Sequence, residues 1–162
     1  MNAALLPLPA GVEERGEMLD RSQLFKGFTW ADLQVFARYF EAVRAPRAAV
    51  VFAEGAREGS LFLLIKGKID ITKESAAKNR ATLASVSTGK CFGEMALIDG
   101  EPRSATAVAA EDSELLVLSR ENFERLTEEA PRLAVALLLR IASLISQRLR
   151  QTSGTLVDYL KD

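Results

Sequence analysis

The segment FGEMALIDGEPRSATA, residues 92–107, is the most informative part of this sequence. Gly93 permits a tight turn or a close backbone approach, and residues 94–97 can form one short helical turn. The N–H groups that open such a turn lack intrahelical partners and can hold an anion. Arg103 adds a planar fork of donors that suits a phosphate, and Ser104 adds a hydroxyl donor beside it. The segment therefore predicts an anion site next to a strand.

Glu94 narrows the kind of ligand that this site would take. A carboxylate repels a phosphate, so Glu94 needs another role in an anion site. It fits a ligand that also offers hydroxyl donors, as a ribose does at its 2′ position, while Arg103 balances its charge. The segment then predicts a site for one phosphate and one sugar. An alternative stays open, in which Glu94 and Arg103 form a structural salt bridge across a Gly/Pro turn.

The sequence around this segment is typical of a β fold. Between residues 41 and 119, short runs rich in Val, Ile, Leu and Phe alternate with turn residues. Lys68–Lys73 alternates polar and apolar side chains, as a half-buried strand does. We expect a mainly β fold, an antiparallel β roll or jelly-roll barrel with flanking helices. The expected strands are 41–45, 50–53, 60–66, 69–74, 81–87, 104–110 and 114–118.

Short helices are expected before the strands. Residues 1–11 look like a loose lead that contains proline, and Val12–Asp20 favours a short helix. Thr29 followed by Asp32 resembles a capping box, which predicts a second helix through Tyr39. The apolar positions expected to share one face are Leu33, Phe36 and Phe40.

Helices are also expected after the strands. A short helix is predicted over residues 120–126, and a long one begins near Pro131, a favoured first-turn residue, and runs to Leu160. The predicted domain organisation has three parts. These are an N-terminal lead with a short helix (1–21), a β-roll domain (22–128) and a C-terminal dimerisation or lid helix (129–162).

Apolar residues on the long helix alternate steps of four and three, which is the spacing of a heptad seam that pairs with a second helix. The seam continues past Leu149, further than one small barrel can cover, so we expect a homodimer through this helix. A second stripe favours packing on the barrel. The alternative is one wide apolar face that covers the domain's own core. The seam is Leu138, Ala142, Ile145, Leu149, Thr152, Leu156 and Tyr159, and the stripe is Leu137, Ile141 and Leu144.

Composition limits the function. The chain has 162 residues and a net charge of −1, so it has no overall electrostatic footprint for nucleic acid. It contains no histidine, nucleophile motif or metal cluster, and we expect neither an enzyme nor a metal site. Cys91 is the single cysteine, which fits a reducing cytoplasm. The longest apolar run, Leu133–Leu139, is far too short to span a membrane.

The segment FGEMALIDGEPRSATAVA, residues 92–109, resembles the phosphate-binding cassette of the cyclic nucleotide-binding domain family. That family includes bacterial catabolite activators, regulatory subunits of cAMP-dependent protein kinase and cyclic-nucleotide-gated channels. Gly55 and Gly67 fall where the family's barrel turns usually lie, and the resemblance covers residues 22–160. It implies an eight-stranded β roll and a cyclic mononucleotide ligand. We expect cAMP, with cGMP as the other candidate because Ser104 could also bond to a guanine amino group.

The resemblance implies roles for individual residues. Glu94 would accept a hydrogen bond from the ribose 2′-hydroxyl, and Arg103 would pair with the cyclic phosphate. Ser104 would complete the phosphate grip with backbone amides near Gly93 and Ala96. The apolar candidates for the wall around the purine are Leu63, Leu83, Val86 and Met95, and Ala105 is a further candidate for ligand binding.

The segment 147–153 is similar to the ligand-sensing part of the catabolite-activator dimerisation helix. There a Thr-Ser pair meets the adenine amino group, and the serine reaches across from the partner subunit. Thr152 and Ser153 would then touch the base, and the heptad pattern independently places Thr152 in the seam. The alternative is that Thr152 is only a tolerated seam residue.

One departure from that family bears on the function. Catabolite activators continue into a helix-turn-helix domain, whereas this sequence stops at Asp162. We therefore expect a sensor or regulatory module that binds no DNA by itself and acts on a protein partner that the sequence does not identify. Two alternatives remain: the sensory half of a transcription regulator, and an interaction domain whose site is no longer used.

Overall fold

The structure is a computed structural model that describes residues 4–76 and 79–160. Within these residues, nine strands form two antiparallel sheets flanked by five α-helices. The strands are β1 (Leu6–Pro7), β2 (Glu41–Ala45), β3 (Val50–Phe52), β4 (Ser60–Lys66), β5 (Ile69–Glu74), β6 (Arg80–Val86), β7 (Cys91–Phe92), β8 (Thr106–Ala109) and β9 (Ser113–Ser119). The helices are α1 (Val12–Asp20), α2 (Trp30–Ala37), α3 (Glu94–Asp99), α4 (Arg120–Glu129) and α5 (Pro131–Tyr159), with a 3-10 turn at Gln23–Phe25.

The two sheets form the predicted β roll. One has the strand order β1-β2-β9-β4-β7 and the other has the order β3-β8-β5-β6. The seven strands that the sequence predicts are all present, although β8 begins at Thr106 rather than at residue 104. β1 and β7 were not predicted, because each contains only two residues and shows no alternation.

The N-terminal lead is not loose over residues 4–11, so that expectation was wrong; residues 1–3 lie outside the described part. Leu6 and Pro7 pair with β2 and cover its edge, and Leu5 is buried between the sheets. The Arg15 side chain fixes the following segment by donating to the carbonyl oxygens of Ala10 and Ala37 at 2.6 and 2.9 Å. Pairing with an open sheet edge orders a lead that composition alone cannot predict.

β4 connects the two cores of the molecule because it is buried on both faces. Phe62 and Leu64 face the inter-sheet core, which lies between the two sheets. Leu61, Leu63 and Ile65 face the helical core, which lies between the five-stranded sheet and the helices. The run therefore reads as continuously apolar instead of alternating.

The helices before the strands lie close to their predicted positions. α1 has the predicted bounds, and α2 begins after Thr29, whose Oγ1 accepts from the backbone N–H of Asp32 at 3.2 Å. α2 ends at Ala37 rather than Tyr39, and Phe40 is buried just beyond it.

The apolar packing of α5 on the helical core is confined to the first half of the helix. The predicted stripe of Leu137 and Ile141 is buried in the helical core, with Leu144 partly buried beside it. Further along, Leu149, Leu156 and Tyr159 are 66%, 58% and 77% exposed. The alternative of one face covering the domain's own core therefore fails for the second half of α5. None of the helices in the described residues is long and apolar enough to cross a membrane.

Candidate functional site

A cavity of about 500 Å³ lies between the four-stranded sheet, α3 and α5. Its size is within the range that holds a small organic ligand. The residues predicted from the segment 92–107 converge here, together with Val86 at the C-terminal end of β6. The predicted residues that line the cavity are Val86, Gly93, Glu94, Met95, Ala96, Arg103, Ser104 and Ala105.

Arg103 is held at the floor of this cavity and is only 4% exposed. Its Nη1 donates to the Gly93 carbonyl at 2.7 Å, and its Nη2 donates to the Ser60 carbonyl at 2.9 Å. The guanidinium carbon lies 4.1 Å from the centre of the Phe52 ring. A side chain at position 93 would approach Arg103 Nη1 to 2.9 Å, and φ there is +76°, so glycine is required on both counts.

The Arg103 charge has no counter-ion within the part of the chain that the structure describes. None of the salt bridges there includes Arg103, and its buried Nε has no hydrogen-bond partner. Burial lowers the pKa of Arg103, and the more distant carboxylates of Glu58 and Glu94 oppose that shift. A buried cation is costly without a paired anion, so the cavity favours an anionic ligand.

Glu94 is also buried, but its ion pair is with Arg148 on α5. Arg148 Nη1 contacts Glu94 Oε1, and Arg148 Nη2 donates to the Cys91 carbonyl at 2.8 Å. The alternative of a Glu94–Arg103 salt bridge is therefore wrong. Glu94 is therefore paired with a cation, whereas Arg103 is paired with no carboxylate among the described residues.

Arg148 is a charged residue of the site that sequence reasoning did not select. It lines the cavity, yet it lies 54 residues after Glu94 in the chain. The one available signal was its position in the segment 147–153, four residues before Thr152 on the same helical face. A contact between a helix and a distant loop leaves no local pattern.

α3, the short helix of the site, is bounded by two glycines. Gly93 precedes it with φ of +76°, and Gly100 follows it with φ of +70°. Both values lie in the left-handed region that glycine adopts without strain. These two turns fix where Glu94 and Ala96, both buried, meet the cavity.

Two predicted residues of the β strands, Leu63 and Leu83, do not line the cavity. Leu83 lies at a bulge in β6, where Thr82 and Ala84 pair with consecutive residues of β5, and it is 60% exposed. Ile71 and Ala84 line the apolar wall beside Val86 instead. Leu63 faces the helical core because side chains alternate along β4.

Thr152 and Ser153 are exposed on α5, beyond Arg148. The Thr152 Oγ1 donates to the Arg148 carbonyl at 3.0 Å, and neither residue lines the cavity of its own chain. A role in binding the base would therefore need a change in α5 or a second subunit.

The fold and the cavity together define a ligand-binding β-roll domain. The model of the cyclic nucleotide-binding domain family matches residues 42–130, and the chain belongs to this family. It is 35% identical over 130 residues to the cyclic AMP receptor protein of Thermus thermophilus, covering 80% of this chain and 58% of that protein. It is 34% identical over 86 residues to the cAMP-dependent protein kinase regulatory subunit of Aspergillus niger, covering 53% of this chain and 20% of that subunit.

The fold likeness extends over almost the whole chain. The crystal structure of a cyclic nucleotide-binding domain from Methylobacillus flagellatus KT superposes with a TM-score of 0.83 at 30% identity. That match covers 96% of this chain and 89% of the other. The chain spans only about three fifths of the length of the Thermus protein.

Proposed function

We propose that this chain is a non-enzymatic sensor of a cyclic mononucleotide, with cAMP as the preferred ligand. The β-roll domain of residues 22–128 binds the nucleotide, and the C-terminal part of residues 129–162, which contains α5, carries the signal. The observation that carries the proposal is the buried Arg103, whose charge lacks a counter-ion among the described residues. A cyclic phosphate supplies one negative charge and oxygen acceptors for its free N–H groups.

The ribose and the purine of a cyclic nucleotide also find suitable partners in the cavity. The buried Glu94 carboxylate is an acceptor for the ribose 2′-hydroxyl, and Ser104 adds a donor at the phosphate. Ile71, Ala84 and Val86 offer an apolar surface for the purine. Leu83, at the bulge on β6, stays a candidate for contact with the base if this strand closes on the ligand. No cofactor is proposed beyond the nucleotide.

Titration calorimetry with cAMP and cGMP tests the proposal, with 5′-AMP as the control that lacks the cyclic ester. We expect cAMP to bind more tightly than cGMP and 5′-AMP to bind least. At a cAMP concentration of about 100 times Kd, the free energy of unfolding should rise by about 2.7 kcal/mol, visible as a higher Tm. If neither cyclic nucleotide binds or raises Tm, the site is unused and the proposal is wrong.

We also propose that the exposed half of α5 pairs with the same helix of a second copy. Leu149 and Leu156 lie on the predicted seam and are 66% and 58% exposed, which is unfavourable for a monomer in water. This arrangement supports a role for Thr152 and Ser153 of one subunit at the base held by the other.

Replacing both Leu149 and Leu156 with Glu should convert the dimer to a monomer, because charges at seam positions oppose helix pairing. Light scattering gives the mass in solution, and cAMP affinity should fall in the same variant. Ser146→Glu is the control, since Ser146 is exposed and off the seam. A wild-type monomer, or an unchanged mass for the double variant, would refute pairing through α5.

Other functions have less support. A regulator that acts with a separate DNA-binding part is favoured by the 35% identity to the Thermus receptor protein. A coding sequence that continues past Asp162 into a helix-turn-helix would support it. Catalysis by Cys91 is disfavoured, because burial raises the pKa of its thiol to about 12 and leaves no thiolate at neutral pH. A single cysteine also fits a cytoplasmic protein.

A further inference from the structure

α3 is held at both ends by arginines from the two C-terminal helices. At its first residue, Glu94 pairs with Arg148 of α5. At its other end, Arg120 of α4 donates from Nη2 to the carbonyls of Ala96 and Leu97, both at 2.9 Å. Those carbonyls belong to the last turn of α3, where partial negative charge gathers and a cation is stabilising.

The Arg120 side chain lies in a slot that two glycines leave open. A side chain at Gly59 would approach the Arg120 Nε to 3.2 Å and the Ala96 carbonyl to 2.8 Å. A side chain at Gly100 would approach the Arg120 Nη2 to 3.3 Å. Larger residues at either position would crowd the guanidinium, so the local backbone accommodates Arg120 closely.

Arg120 is separate from the ligand site. It does not line the cavity, and within the described residues it forms no salt bridge. In the described residues, both hydrogen bonds of its side chain go to carbonyls of α3. Its role is therefore distinct from that of Arg103, which lines the cavity.

Arg120 is also the first residue of α4, so its hydrogen bonds to α3 connect α3 directly to α4. The N-terminus of α4 is fixed by Ser119, whose Oγ accepts from the Asn122 N–H at 3.1 Å. Farther along, Leu126 of α4 shares the helical core with Leu133 of α5. These contacts form a continuous path from α3 through Arg120 to α4 and then to the packed part of α5.

We propose that Arg120 is a positioning residue that couples α3 to α4 and α5, so that the helices respond when the cavity is occupied. The response of the helices to the ligand rests on the proposed nucleotide-sensing function, whereas the contact between Arg120 and α3 does not. Arg120 contributes little to affinity because it touches no ligand. Its loss instead separates binding from the helix response.

Hydrogen exchange of the full chain, followed by mass spectrometry with and without saturating cAMP, tests this coupling. In the ligand-free protein, Arg120→Gln should raise exchange in α3, because two carbonyl contacts are lost. With cAMP, this variant should still bind and still gain protection in α3, while the cAMP-induced change in α4 and in the packed first half of α5 is lost. The second half of α5, which Arg148 links to Glu94, should still respond. Arg120→Lys, which keeps the charge, should restore part of the lost change.

Arg125→Gln is the matched control, because Arg125 lies on the same helix and pairs with exposed Glu129. It should leave both readouts at the wild-type level. The proposal is overturned if Arg120→Gln leaves ligand-free α3 exchange unchanged, or if α4 and the packed first half of α5 still respond fully to cAMP. If the wild type binds no nucleotide, the proposed function fails, and unchanged α3 exchange then refutes the Arg120 contact independently.

Discussion

Arg103→Ala should weaken cAMP binding by about 2–5 kcal/mol, a loss of roughly 30- to 4,000-fold in affinity. The loss is large because the phosphate would enter a buried site without the one cavity arginine that no carboxylate pairs with in the described residues. Wild-type Arg103 is already fixed by the Gly93 and Ser60 carbonyls and by the Phe52 ring, so little ordering is required on binding. Calorimetry of wild type and variant gives the difference.

A second variant separates charge from geometry at position 103. Arg103→Lys keeps the charge but loses the planar fork, so its affinity should fall between those of the wild type and the alanine variant. Arg44→Ala is the control, since Arg44 is an exposed arginine on β2 and does not line the cavity. Circular dichroism verifies that each variant is folded. An alanine variant that is folded and keeps wild-type affinity would exclude Arg103 from phosphate binding.

The part of the site that sequence could predict is local. Gly93, Glu94, Arg103 and Ser104 lie within one short segment, and they all line one cavity. The chemistry of these side chains alone indicates an anionic ligand that also carries a hydroxyl group. The strands around them were predictable because apolar runs and turn residues alternate at short intervals.

The parts that sequence could not predict depend on long-range contacts or on irregular backbone. Arg148 reaches Glu94 across 54 residues, and no periodicity encodes that contact. Leu83 was expected at the purine, but a bulge in β6 changes which side chains face the cavity. Leu63 was assigned to the cavity for another reason. β4 is buried on both faces, so its apolar sequence does not show which residues face which core.

The charges of the site suggest how the ligand and α5 are linked. Glu94 is 4% exposed and its ion pair with Arg148 joins the cavity to α5, whereas Arg103 faces the cavity without a counter-ion in the described chain. A nucleotide would neutralise Arg103 with its phosphate and bring a hydroxyl donor to Glu94. The acceptor oxygens of Glu94 are then shared between the ligand and Arg148, so binding would change how firmly α5 is held.

Glu94→Ala should remove the preference for a free 2′-hydroxyl. The wild type should bind 2′-deoxy-cAMP more weakly than cAMP by about 1.5–3 kcal/mol, or roughly 10- to 150-fold, since a hydrogen bond to a buried carboxylate is lost. In the variant both ligands should bind equally weakly, because the acceptor is absent for each. The variant should remain folded, as the Arg148 side chain is 41% exposed and can be solvated.

The comparison of two ligands on two proteins isolates the Glu94–hydroxyl contact from any general damage to the site. Glu101→Ala is the matched control, because Glu101 also lines the cavity but is exposed, and it should keep the wild-type discrimination. An equal penalty for 2′-deoxy-cAMP in wild type and Glu94→Ala would show that the hydroxyl is read elsewhere. Glu94 would then serve only as the partner of Arg148, and the ligand's sugar would have to contact a different wall of the cavity.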